Sequence, residues 1–205
     1  MPTFPAFRPV LAASALALSA SAFAATVGQP APAFSVADAA GKTVSLADFK
    51  GKTVVLEWVN PGCPYVRKHY DSANMQTSQK GAAAQGVVWL AVNSTAPDHY
   101  DYRKPADMAA WMQSQKAAAT HTLMDSQGKV GKAYGARTTP HMYVIDAKGT
   151  LVYAGGIDDR PSSNPADVKG ARNHVNAAIA DLAAGKPVAQ PVTRPYGCSV
   201  KYADG

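Results

Sequence analysis

One stretch limits the fold of this chain more than any other. Lys52–Asn60, KTVVLEWVN, runs directly into Pro61-Gly62-Cys63-Pro64. The run is apolar and β-branched with almost no polar alternation, the mark of a central strand buried on both faces. Pro64 stands where a proline suits the first position of a helix, and the residues to about Gln79 are compatible with one. The segment predicts a buried strand, a sharp corner and a helix, with Cys63 on the corner.

The rest of the chain repeats that alternation. Val87–Val92 reads as a second buried strand, Pro105–Lys116 as a helix and Thr122–Asp125 as a short strand. Met142–Asp146 and Leu151–Ala154 flank Ala147-Lys148-Gly149-Thr150, the pattern of an antiparallel hairpin. A long helix is expected from Asn164-Pro165, its apolar face formed by Val168, Ala171, Val175, Ala178 or Ile179, and Leu182, and its end set by Gly185. This order predicts an α/β sandwich with a central mixed sheet flanked by helices. Pro187, Pro191 and Pro195 argue against regular structure in the tail, residues 186–205.

The two ends carry different messages. Residues 1–24 hold a single charge, Arg8, then an apolar stretch from about Val10 to Leu18, then Ala22-Phe23-Ala24. That is the plan of a cleavable signal peptide, and its apolar part is shorter than the ~20 residues a membrane span needs. The expected product is a periplasmic protein with a folded domain over residues 25–185. With 47% hydrophobic and 17% charged residues, the chain is of globular composition. Its net charge is +6, yet the only adjacent basic pairs are Arg67–Lys68 and Arg103–Lys104, so no nucleic-acid footprint is expected. Two cysteines, Cys63 and Cys198, exclude a four-cysteine zinc site within one chain. An oxidising compartment would invite a disulfide between them.

Three features point to chemistry. Cys63 precedes the first turn of a helix, where unpaired N–H groups and partial positive charge stabilise a thiolate, and Arg67 and Lys68 follow one turn later. Glu57 lies inside the apolar strand; a carboxyl buried there keeps its proton to higher pH and is suited to moving the proton of thiol exchange. Thr138-Thr139-Pro140 precedes the strand starting near Met142 and marks a tight turn. Spacing alone gives no reason to expect a cis peptide bond there.

Together these features resemble the thioredoxin-like superfamily over roughly Ala31 to Gly185. The resemblance implies a cis proline at Pro140. The nearer resemblance is to the exported redoxin branch, the AhpC/TSA-like proteins, in which N-P-x-C-P-[FY]-V-[RK]-K-H-Y is paired with a terminal Y-G-C-S-V-K-Y. Here these are Asn60 to Tyr70 and Tyr196 to Tyr202. There are departures. A local C-x-x-C pair would need cysteine at position 66, where Val66 stands; the peroxidase pattern P-x-x-x-T-x-x-C meets Leu56 and Asn60 instead of proline and threonine. Arg137 reads as a surface residue of the preceding loop.

Cys198 is then the candidate partner for Cys63, brought back by the tail. Closing so long a loop stabilises a fold by roughly 4–5 kcal/mol in the chain-entropy picture. A labile redox pair and a structural staple both remain open. So do two reactions: thiol–disulfide exchange with a protein disulfide or thiol, or two-cysteine reduction of a small hydroperoxide, each regenerated by an unidentified reductant and neither calling for a cofactor. Cys63, Cys198 and Glu57 are the candidate catalytic residues; Asn60, Pro64, Thr139 and Pro140 are the candidate substrate-binding residues. A third reading is a copper-binding module using Cys63, His69 and His141. His99, His121 and His174 are expected to be solvated.

Overall fold

In the computed structural model, which describes residues 24–203, the apolar run becomes the middle of a sheet. A hairpin of β1 (Ser35–Ala37) and β2 (Thr43–Ser45) leads to β3 (Val54–Trp58), α1 (Pro64–Asp71), α2 (Asn74–Ala84) and β4 (Val88–Asn93). Then follow α3 (Pro105–Ser114), β5 (His121–Met124), α4 (Lys129–Tyr134), β6 (Thr138–Thr139), β7 (His141–Ile145), β8 (Leu151–Gly155), α5 (His174–Ala183) and β9 (Cys198–Ser199). The main sheet has the order β5-β4-β3-β7-β8. The β3–β4 and β4–β5 pairs are parallel, β3–β7 and β7–β8 antiparallel, so the sheet is mixed as expected. The leader reading falls on residues 1–23, outside those described, up to its last residue, Ala24.

Strand alternation sorts the core into two layers. Val55 and Val59 of the central strand segment join Val66 and Tyr70 of α1, Met75 of α2, Met108 of α3 and Val175, Ala178 and Ile179 of α5. Val54, Leu56 and Trp58 face the opposite side, with Phe34, Val44, Val130 and Tyr134. Glu57 therefore points into the first layer, the one that also holds Cys63. Every residue of β3 and β4 is buried because both faces of the sheet are covered.

Two predicted helices are broken. The helix from Pro64 stops at Asp71, Ala73 turns left-handed at φ 60°, and α2 restarts at Asn74. Side chains hold that break: Gln76 Nε2 donates to the Tyr70 carbonyl (2.9 Å), and the Asn74 amide pairs with His69 Nδ1 (2.8 Å). The long helix expected from Pro165 is one 3-10 turn, Pro165–Val168, followed by Gly170 at φ +80°. α5 begins only at His174, where Asn173 caps it by accepting from the Asn176 N–H (2.9 Å). Gly170 and Asn173 were legible stop and start signals that the apolar spacing masked.

The tail is more ordered than its prolines suggested. Ala154 N–H donates to the Pro191 carbonyl and Thr193 N–H to the Ala154 carbonyl, laying the tail along the edge of β8. It then crosses to β6, where Thr138 pairs with Ser199 and Thr139 with Cys198, antiparallel. Proline forbids a helix there but permits pairing at a sheet edge.

Candidate active site

The corner after β3 is built by Asn60. Its carbonyl accepts from the Cys63 N–H (3.0 Å), its Oδ1 accepts from the Gly62 N–H (2.8 Å), and its Nδ2 donates to Asp101 (3.3 Å). Both ends of this amide are thus engaged within the corner. A Cβ at Gly62 would lie 2.5 Å from Asp101 Oδ1, so any side chain there would displace the carboxylate that accepts from Asn60. The result seats Cys63 as the residue preceding α1, with Pro64 opening the helix.

Cys63 is 2% exposed, between exposed Gly62 and Pro64. Its thiol donates to the Thr139 carbonyl (3.0 Å), the residue joined to Pro140 by a cis peptide bond. Cys198 is Thr139's strand partner, and both cysteines are free thiols. Cys198 is half-buried against the layer that contains Cys63. Burial, then hydrogen bonding and charge at Cys63, push the Cys198 thiol up to about 12. The corner therefore brings together Cys63, Pro64, Thr139, Pro140 and Cys198.

Glu57 sits in the layer beneath and is fully buried. Tyr70 OH donates to Oε1 (2.8 Å), while Trp89 Nε1 (2.7 Å) and Gln79 Nε2 (3.2 Å) donate to Oε2. These partners come from the second turn of α1, from β4 and from α2, not from the start of α1. Burial raises the Glu57 carboxyl to about 7, against the lowering effect of the three hydrogen bonds.

The basic pair next to Cys63 behaves unexpectedly. Arg67 is exposed, but Lys68 is 1% exposed and turned inward. Lys68 Nζ donates to the Arg160 carbonyl (2.6 Å), lies 3.6 Å from Asp158 Oδ2 and reaches Tyr196 OH at 3.4 Å. Tyr196 OH donates to Asp158 Oδ1 and meets His69 Nε2 at 3.1 Å. Burial first, then Asp158, holds the Tyr196 hydroxyl well above its ordinary range. This buried cluster ties the tail, two residues before Cys198, to the helix that follows Cys63. The paired motifs carried Lys68, His69 and Tyr196, but Asp158 and Arg160 lie outside both, and only the fold shows that the five meet.

The copper reading finds no ligand set. His69 is fully buried, with both ring nitrogens engaged by Tyr196 and Asn74. His141 is buried on Tyr143 OH (3.1 Å) and the Arg137 N–H (3.3 Å). Burial, aided by the neighbouring positive charge of Arg137, lowers His141 to about 3. Among the described residues no three His, Cys, Asp or Glu side chains are placed to hold a metal ion. The expectation of solvated histidines also needs correction. His174 is buried at the start of α5, and His121 pairs with Asp38 at 2.8 Å.

A mixed sheet of this order, with a cysteine at the mouth of α1 facing a cis proline, defines a thioredoxin-like thiol-based oxidoreductase. Residues 27–154 match the AhpC/TSA family, and the chain belongs to that family. It is 29% identical over 141 residues to the thiol:disulfide interchange protein DsbE of Yersinia pestis, covering 66% of this chain and 68% of that one. Against the thiol-disulfide oxidoreductase ResA of Bacillus thuringiensis the identity is 26% over 133 residues, covering 62% and 67%. The crystal structure of an uncharacterized conserved protein from Geobacillus kaustophilus superposes with a TM-score of 0.78 at 26% identity, covering 88% of this chain and 94% of that one.

Proposed function

We propose that this protein is an exported thiol–disulfide oxidoreductase whose working pair is Cys63 and Cys198. The observation that carries this reading is the β6–β9 pairing, which sets Cys198 opposite Thr139 while the Cys63 thiol rests on the Thr139 carbonyl. Cys63 stands as the N-cap residue of α1, at the end of that helix where its dipole is positive. Cys63 attacks a substrate disulfide and releases one substrate thiolate. Cys198 then attacks the Cys63 sulfur of the mixed disulfide, closing the Cys63–Cys198 bond and releasing the second. Glu57 takes up a proton from this exchange, a role supported by its titration near neutrality in the layer that holds Cys63. Pro64, exposed beside the sulfur, and Asn60, which holds the corner, shape the approach; Thr139 and Pro140 carry the strand edge.

The test is a thiol count on freshly purified protein with and without reductant, followed by mass mapping. A Cys63–Cys198 bond in oxidised monomer is expected. Cys198 remaining a free thiol in oxidised monomer overturns the reading.

One observation favours a second oxidant. Cys63 is nearly closed off and β9 occupies the adjoining edge, which suits a small molecule better than a polypeptide. In that case a hydroperoxide oxidises the Cys63 thiolate to the sulfenic acid and leaves as alcohol or water. Condensation with the Cys198 thiol then expels water and forms the same disulfide. Oxidation by millimolar peroxide no faster than that of a free model thiol removes this version.

Export rests on the leader, residues 1–24, and cleavage near Ala24 is checked by N-terminal sequencing of secreted protein. No helix among the described residues is long and apolar enough to cross a membrane.

A further inference from the structure

Resting on that redox pair, we propose that reducing thiols enter it through Cys198, on a tail that stays docked, and that Cys63 is the inner, leaving sulfur. The two cysteines are not equivalent to a visitor. Cys63 is 2% exposed, in the core layer that also holds Val59, Val66 and Met142, whereas Cys198 is partly exposed on β9. The strand edge that flanks Cys63 is filled by the chain's own β9. An incoming thiolate therefore meets Cys198 first.

The tail is held at several separate points. Gly197, at φ +134°, lies so close to the Thr139 carbonyl that any Cβ would overlap it. Tyr196 is anchored in the buried Lys68–Asp158–His69 cluster. Beyond Cys198, Val200 N–H donates to the Arg137 carbonyl and the Lys201 carbonyl accepts from Ala96. Tyr202 OH donates to the Ala136 carbonyl (2.7 Å), and its ring fills the space left by Gly128 and Gly131. A cleft of about 860 Å³ runs along this tail, lined by Thr138, Asp158, Thr193, Tyr196 and Gly197, the residue before Cys198.

The chemistry runs the same way. An external thiolate attacks Cys198 Sγ, the Cys63–Cys198 bond breaks, and Cys63 leaves with the electron pair at the mouth of α1. A second external thiolate attacks the visitor's sulfur in the mixed disulfide. The visitor leaves as its own disulfide, and Cys198 departs as thiolate and takes a proton from water. Two external thiols are oxidised and one protein disulfide is reduced. In the first step the sulfur attacked is the partly exposed Cys198 and the sulfur that leaves is the buried Cys63.

The test is to mix oxidised protein with reduced glutathione, quench at short times with acid, alkylate and map by mass. Glutathione on Cys198 with alkylated Cys63 is expected, at least tenfold over the reverse. A majority of adduct on Cys63 overturns this proposal and leaves the redox pair intact. Absence of a Cys63–Cys198 bond in the starting oxidised protein overturns both. Tyr196→Phe, which loosens the anchor, is expected to raise the Cys63-adduct fraction at least fivefold; an unchanged split overturns the docked-tail part of the proposal.

Discussion

Thr139 and Cys198 face each other as antiparallel strand partners, and the carbonyl of the same Thr139 accepts the Cys63 thiol. One backbone residue beside the cis proline thus positions both sulfurs.

The two cysteines should fail differently. Cys63→Ser is expected to abolish disulfide exchange. Cys198→Ser is expected to keep the first attack and accumulate a substrate adduct on Cys63, seen as a mass increase that reductant reverses. Equal loss of the first attack in both variants would contradict the assigned roles.

Glu57 should make stability fall as pH rises. Its folded value of about 7 lies above the ordinary 4.5, so the native state holds a proton that the unfolded chain has released. Stability is full below pH 4.5 and declines through pH 7, by an amount on the order of 3 kcal/mol from this group. Glu57→Gln should flatten that slope in urea titrations between pH 5 and 8. An unchanged slope would show that Glu57 ionises at no such cost.

The buried Lys68–Asp158 pair should be costly to split. Lys68→Ala leaves the Asp158 carboxylate buried, with Oδ2 lacking a hydrogen-bond partner. A loss of about 3–5 kcal/mol is expected in denaturant unfolding, as for other buried pairs broken on one side. Pairing Lys68→Met with Asp158→Asn should recover part of it.

Gly197→Ala should lift β9 from β6, since the new methyl overlaps the Thr139 carbonyl in a left-handed region of backbone. The expected readout is at least tenfold faster alkylation of Cys63 in reduced protein. Gly131→Ala, which displaces Tyr202 instead, should act in the same direction. Cys63 alkylation unchanged in both would show that the tail does not cover it.

The local elements were legible because they depend on near neighbours. The unbroken KTVVLEWVN run announced a central strand, and two prolines with a glycine announced the corner at Cys63. The helix breaks at Ala73 and Gly170 were missed for different reasons: alanine carries no signal for a left-handed turn, and Gly170 sat inside a plausible apolar stripe.

Composition and spacing along this chain determined a mixed α/β sheet, a cysteine at a helix mouth and a carboxyl inside a strand. Only the tertiary structure decided what surrounds them. Lys68 reads as positive charge close to Cys63 and is buried on Asp158; the Pro-rich tail reads as irregular and becomes a strand against Thr139; His69 and His141 read as ligands and are enclosed among other side chains, Tyr196 and Tyr143 included. Each outcome rests on partners far away in the chain. Periodicity records which face a residue shows to its own element, but burial and pairing are set by whatever the fold lays against that face.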